Sequence, residues 1–94
     1  MQTPSQLSEL RMRMSADYAR LSEQLGDILE VKAKAWEAIR LGCTSDKQAD
    51  KKWDGSEHGI KEMRLRLKLK SLEKEMSAIS SHLRVLDAEM RNLA

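Results

Sequence analysis

A run of basic side chains in the middle of the chain could bind phosphate groups. Five positive side chains fall between residues 61 and 70, and three more fall between residues 47 and 52. Lysine and arginine neutralise phosphates and release counterions, which gives affinity for nucleic acid without sequence preference. The basic residues predicted to contact nucleic acid in this way are Lys47, Lys51, Lys52, Lys61, Arg64, Arg66, Lys68 and Lys70.

The distribution of charge has two interpretations. Residues 1–30 carry three basic and five acidic groups, residues 31–74 carry twelve and seven, and residues 75–94 carry two and three. The positive excess therefore lies in the middle of the chain, although the net charge is only +2. If the chain folds back on itself, this part becomes a positive tip that neutralises several phosphates. The alternative is a solvated face, partly balanced by neighbouring glutamates.

Both tryptophans, Trp36 and Trp53, lie in the same basic part of the chain. Single-stranded nucleic acid is often held by aromatic stacking beside a charged groove. Trp53 follows two lysines, so it is a further candidate for binding nucleic acid. It could equally pack a connecting helix against longer ones, and the sequence leaves both uses open. Trp36 lies in an apolar row, and we expect it to pack.

Residues suited to catalysis or to metal binding are sparse. The chain has no glycine-rich phosphate loop, and His58 and His82 lie 24 residues apart in one predicted helix, too far to share a metal. Cys43 is the single cysteine, so no internal disulfide can form, and nothing in the sequence activates its thiol. We therefore predict a non-enzymatic protein without metal or cofactor.

A heptad seam in the last third of the chain must position the basic run. Apolar residues recur there at alternating spacings of four and three, which predicts a long α-helix with one apolar stripe facing a partner helix. The residues predicted to form this oligomer or helix seam are Leu65, Leu69, Leu72, Met76, Ile79, Leu83, Leu86, Met90 and Leu93.

The first forty residues predict the partner helix. Thr3 is suited to the N-cap and Pro4 to the first helical position. Apolar residues then recur at threes and fours, interrupted at Lys32, and predict one helix from about residue 4 to about residue 40. Gly42 is suited to a left-handed conformation that ends this helix.

A short connecting helix is predicted between the two long ones. Ser45 and Gln48 have the spacing of a capping box, which predicts a helix over about residues 45–53. Ser56 can cap the next helix, which we expect to run over about residues 57–92.

Composition and helix lengths together predict the fold. The chain of 94 residues is 34% charged, with one proline, four glycines and no phenylalanine, which is typical of long helices. We predict an all-α fold, with residues 1–94 as a single helical domain: a coiled-coil-like antiparallel hairpin of two long helices with a short connector helix. Apolar residues outside the seam predict that this hairpin forms a homo-oligomer, most simply a dimer in a four-helix bundle. Those residues are Ile60, Met63, Leu67 and Val85.

Localisation follows from two absent patterns. The N-terminus lacks a basic segment followed by an apolar run, and no stretch approaches about 18 consecutive apolar residues. We therefore expect a cytoplasmic protein with no membrane partner, consistent with its single cysteine.

Four parts of the chain carry a resemblance to known proteins: residues 34–36, residues 44–53, Gly59 and residues 67–78. They resemble small helical proteins that tailed phages and prophages encode among their replication and recombination genes. The likeness covers about residues 20–92 and includes no catalytic motif. In class, the chain is similar to phage recombination mediators, which are small, basic, helical and oligomeric. This resemblance implies self-association, binding of single-stranded DNA, loading of a recombinase, and a location in the bacterial host cell.

Two functional hypotheses follow. The first is an oligomeric binding module that holds single-stranded DNA at the basic end of the hairpin, in phage recombination. The second is a protein–protein interaction module, such as a phage inhibitor of a host defence system or an assembly adaptor, which acts on another phage or host protein. Salt-dependent binding of single-stranded DNA would favour the first hypothesis.

Overall fold

The computed structural model is an antiparallel hairpin of two long helices with a short helix at its closed end. It describes the backbone of residues 3–93 and the side chains of residues 3–92. The helices are α1 (Pro4–Leu41), α2 (Asp46–Asp54) and α3 (Glu57–Leu93), all within about one residue of the predicted bounds. The molecule measures 68 × 20 × 18 Å. The all-α hairpin predicted from the sequence is confirmed.

The start of α1 carries a complete capping box. The backbone N–H of Gln6 donates to Oγ1 of Thr3 at 3.2 Å, and the backbone N–H of Thr3 donates to Oε1 of Gln6 at 2.9 Å. Pro4 occupies the first turn, where its missing N–H costs no helical hydrogen bond. The predicted N-terminus of α1 is therefore confirmed.

The end of α1 differs from the prediction. Gly42 has φ of −86° and is not left-handed. The N–H groups of Gly42 and Cys43 instead bond to carbonyl oxygens three residues back, at 3.2 and 3.0 Å. The guanidinium of Arg40 donates to the carbonyl oxygen of Cys43 at 2.8 Å and to Asp46 at 2.6 Å. Because these bonds already satisfy the end of the helix, the chain turns without a positive φ.

The predicted capping box of α2 forms only in part. The N–H of Gln48 donates to Oγ of Ser45 at 3.2 Å, as expected. Oε1 of Gln48, however, accepts from the N–H and the hydroxyl of Thr44, at 3.0 and 2.9 Å. The buried residues of α2, Ala49 and Trp53, lie one turn apart and face the two long helices.

Polar contacts between α1 and α3 define the register of the hairpin. Three of them mark successive levels along its length: Arg11 Nε to Ser80 Oγ at 2.8 Å, Tyr18 Oη to Glu73 Oε1 at 2.7 Å, and Lys32 Nζ to Glu62 Oε1 at 3.5 Å. The sequence separations between partners fall steadily towards the connector, as an antiparallel pair requires.

The seam of α3 is most deeply buried near the connector. Leu65 and Leu69 are buried, and the next five seam residues are half-buried. Those five are Leu72, Met76, Ile79, Leu83 and Leu86. Met90 is 65% exposed in the single hairpin and does not pack against α1, because the register places it at the start of α1; its place in an oligomer seam stays a prediction. The side chain of Leu93 lies outside the described residues.

The hydrophobic core lies at the closed end of the hairpin. Ile28, Trp53 and Leu65 form its buried centre, with partly buried leucine and isoleucine side chains of α1 packed around them. The hairpin exposes 7307 Å², whereas a compact monomer of 10.8 kDa would expose about 5,500 Å². The best-packed part of this elongated molecule is therefore the part that carries the basic run.

Candidate nucleic-acid interface

Trp53 is part of the core and does not face solvent. Its side chain is 3% exposed, and its Nε1–H donates to Oε1 of Glu62 at 3.1 Å. The ammonium of Lys32 lies 5.7 Å from the ring centroid, within the range of a cation–π interaction. A buried ring has no free face for a base. The stacking role predicted for Trp53 is therefore wrong, and the packing alternative is correct.

Glu62 connects the three helices at this end. Its carboxylate accepts from Trp53, faces Lys32 across the hairpin and bonds to Nε of Arg66 at 3.1 Å. Burial raises the pKa of Glu62, but the hydrogen bonds from Arg66 and Trp53 and the charges of Lys32 and Arg66 outweigh burial and lower that pKa. The contact with Glu62 also explains why a lysine interrupts the apolar row of α1 at residue 32.

The connector α2 is tied to α1, and one of its lysines lies over the end of that helix. Trp36 is half-buried and donates from Nε1 to Oδ1 of Asp50 at 3.3 Å, so it packs on the connector as predicted. Lys52 Nζ lies over the end of α1, 3.8 Å from the position of a Cβ built on Gly42. The other two lysines of α2 that were predicted to contact nucleic acid are Lys47 and Lys51, and both are exposed.

The seam of α3 divides its basic residues between two sides of the hairpin. One side holds an open groove of about 540 Å³ between α1 and α3, which we call the basic groove. The basic groove is lined by Gln24, Asp27, Ile28, Val31, His58, Lys61, Arg64, Leu65 and Lys68. Arg66 and Lys70 lie on the other side of the seam, in a smaller groove that also contains Tyr18 and Glu73. The basic run is therefore two sets of charges rather than one.

Three cations form one wall of the basic groove. Lys61, Arg64 and Lys68 follow one another at spacings of three and four residues, so their Cα atoms rise by about 4.5 and 6 Å along one face of α3. None of them forms an ion pair within residues 3–92, whereas Arg66 is paired with Glu62. Their charge remains available to a ligand.

Several acidic residues of this part of the chain have partners within the hairpin, whereas Asp27 of α1 lines the basic groove itself. Asp46 is paired with Arg40, and Glu62 is paired with Lys32 and Arg66. Two other carboxylates accept hydrogen bonds from aromatic side chains: Asp50 from Trp36 and Glu73 from Tyr18. Four of the seven acidic residues between positions 31 and 74 thus have a partner within the hairpin.

His58 is a residue of the groove that sequence reasoning missed. It is exposed, it lines the basic groove, and its ring centroid lies 6.2 Å from that of Trp53 at an interplanar angle of 34°. In the sequence, His58 was a candidate only for metal binding. Its spacing of three residues before Lys61 and seven before Leu65 was the available signal, because it places His58 on the groove side of α3.

Comparison with known proteins adds no relative. No family model, curated protein or solved structure matches this chain. The resemblance to phage recombination proteins therefore stays a prediction from the sequence. Among the described side chains, no group of three His, Cys, Asp or Glu residues could hold a metal ion. No helix in the described part of the chain is both long and apolar enough to cross a membrane.

Proposed function

We propose that this protein binds single-stranded DNA without enzymatic activity and that the basic groove is its binding site. The observation that carries the proposal is the wall of Lys61, Arg64 and Lys68, three cations in line and without ion pairs in the described part of the chain. Such a wall follows a phosphate backbone and gives affinity that falls with salt.

The floor of the basic groove favours a single strand over a duplex. Val31 of α1 is 40% exposed and supplies apolar surface opposite the cations, above the buried Ile28 and Leu65. An unpaired strand can turn its bases towards this floor while its phosphates meet the cations. A duplex keeps its bases stacked inside and would contact the groove only through one backbone. On this proposal the protein is similar in role to a phage recombination mediator and works in the cytoplasm of a bacterial host cell.

The test compares two variants with equal losses of charge. A fluorescent twelve-nucleotide oligothymidylate is titrated with the parent and with the triple variant Lys61→Ala, Arg64→Ala, Lys68→Ala at several salt concentrations. We expect the triple variant to bind more weakly and with a flatter dependence on salt, by about one phosphate contact per residue removed.

The matched control removes three arginines at the open end of the hairpin: Arg13→Ala, Arg84→Ala and Arg91→Ala. These residues are exposed, and the one ion pair among them, Arg91 with Asp87, is fully on the surface and contributes little stability. This control should bind like the parent. Equal binding by the groove variant and the parent would overturn the proposal. Equal weakening by both variants would also overturn it, because binding would then depend on the total positive charge and not on the groove.

Self-association is the second part of the proposal. Ile60, Met63 and Leu67 form an exposed apolar stripe on the side of α3 that faces away from α1. A monomer that already exposes about 1,800 Å² more than a compact protein of its mass gains stability by covering such a stripe. We propose that a second copy of the chain covers it, which would also place two basic grooves in one assembly.

The alternative function is a protein–protein interaction module. The same stripe supports it, because an exposed apolar patch rimmed by charge can dock another protein. A recombinase, a host defence protein or another phage protein would then take the place of the second copy. A parent chain that stays monomeric and does not bind single-stranded DNA would favour this alternative over the DNA-binding proposal.

A further inference from the structure

The basic groove holds one exposed aromatic ring, which lies beside the core. His58 lies in the first turn of α3 with its imidazole near the indole of Trp53. Trp53 cannot shift freely, because Glu62 accepts its Nε1–H and Lys32 lies over its ring. The imidazole is therefore backed on one side by a rigid core residue and open to the groove on the other.

We propose that His58 is the platform on which the groove stacks one base of a bound single strand. This inference rests on the proposed function and names the residue that takes the role first predicted for Trp53. Proteins stack unpaired bases on histidine as well as on larger aromatic rings. The next turn of α3 supplies Lys61, three residues further along the same face, to meet the phosphate of the stacked nucleotide.

The opposite wall of the groove is suited to base edges rather than to phosphates. Gln24 offers an amide and Asp27 a carboxylate, both from α1. A carboxylate repels a phosphate but accepts hydrogen bonds from base N–H groups, either exocyclic amines or the N3–H of thymine. The strand therefore lies with its phosphates towards α3 and its bases towards α1. With His58 at one end and Lys68 at the other, this path covers about 15 Å of α3.

The test distinguishes the contribution that the flat ring of His58 makes to binding from the contribution of its bulk. His58→Phe keeps a flat ring, whereas His58→Leu keeps apolar bulk against Trp53 without one. Each is titrated with the twelve-nucleotide oligothymidylate and with an abasic strand of the same length. We expect the leucine variant to bind oligothymidylate at least about five-fold more weakly than the parent. The phenylalanine variant should stay within about two-fold of the parent.

The abasic strand and His82 provide the controls. On the abasic strand the parent and both His58 variants should bind equally, because no base is present to stack. His82 is an exposed histidine of the same helix, far from the groove, so His82→Leu should leave both affinities unchanged. Equal binding of oligothymidylate by the leucine and phenylalanine variants would overturn the inference, as would an equal loss on the abasic strand.

Failure of this inference is distinguishable from failure of the proposed function. If the triple variant Lys61→Ala, Arg64→Ala, Lys68→Ala binds more weakly but His58→Leu does not, the groove binds the strand and no base stacks on His58. If neither change weakens binding, the groove is not the site and both proposals fail. Thermal melts of each variant, followed by circular dichroism, check that the hairpin is intact.

Discussion

Gly59 lies so close to Trp53 that a Cβ atom built on it would stand 1.8 Å from the carbonyl oxygen of Trp53 and 2.6 Å from the carbonyl carbon. The first turn of α3 thus rests directly on the last turn of α2. Ser56 closes the junction, because its N–H donates to the Trp53 carbonyl at 2.9 Å and its Oγ accepts from the N–H of Gly59 at 3.1 Å. The approach is backbone to backbone, so no side-chain rotation can relieve it.

Gly59→Ala should therefore destabilise the hairpin by about 1–3 kcal/mol or more, the range for forcing a methyl group into filled space. Gly26→Ala is the matched control, since a Cβ there meets nothing within 4 Å in the middle of α1. Alanine at residue 26 should stabilise the helix by up to about 1 kcal/mol. Urea unfolding followed by circular dichroism measures both. Two variants with the same midpoint would contradict the structure of the junction.

Glu62→Ala should cost about 1–3 kcal/mol of unfolding free energy, because it leaves the Nε1–H of Trp53 without its acceptor and Lys32 without its counter-charge. Glu37→Ala is a suitable control on α1, because Glu37 is exposed and forms no ion pair within residues 3–92. It should change stability by less than about 0.5 kcal/mol. A Glu62 variant as stable as this control would show that the contacts of Glu62 with Trp53 and Lys32 contribute nothing to the free energy of unfolding.

The same carboxylate should make stability depend on pH at the acid end. The pKa of Glu62 is lower in the folded chain than its value of about 4.3 in an unfolded one. The unfolded state then binds the proton more readily, so the stabilisation is complete above about pH 5 and is lost as pH falls through the lowered pKa. The difference in unfolding free energy between the parent and Glu62→Gln should shrink below about pH 4. A difference that stays constant from pH 6 to pH 3 would be inconsistent with this account.

Local signals predicted the helices because each helix is encoded by its own residues. The capping residue Thr3 and the heptad from Leu65 act over one or two turns, and both occur as predicted. Met90 fits the same heptad yet is exposed, because its burial depends on where α1 begins relative to the end of α3. Register is a relation between two distant segments, and no local pattern contains it.

The candidate site was harder to predict. Charge alone grouped Arg66 with Lys68, but helical periodicity puts them on opposite sides of α3, and Arg66 pairs with Glu62 one turn earlier in the same helix. Trp53 follows two lysines, which left its exposure open in the sequence. In the structure, α2 turns the face that carries both Ala49 and Trp53 towards the core. For Trp53, partners on the two long helices decide that its ring is not free, and no local pattern in α2 contains them.

Charge also restricts how two hairpins can meet on the apolar stripe of α3. Arg64 and Lys70 flank the stripe formed by Ile60, Met63 and Leu67. Two copies packed in the same direction would bring these cations together. An antiparallel pair instead sets each stripe against the open half of the partner's α3, where Val85 is 54% exposed and residues 75–94 carry three acidic and two basic groups. The antiparallel dimer is therefore the expected arrangement.

The double variant Met63→Ser, Leu67→Ser should convert the proposed dimer to a monomer, since the two side chains are 55% and 60% exposed in the single hairpin and contribute little to its own core. Helicity should remain, because neither side chain faces α1. Met12→Ser, at a methionine that is 72% exposed on α1, is the control and should stay dimeric. Light scattering at tens of micromolar reports the mass, and circular dichroism reports the helix content. A monomeric parent would contradict self-association, and a dimeric double variant would move the interface away from this stripe.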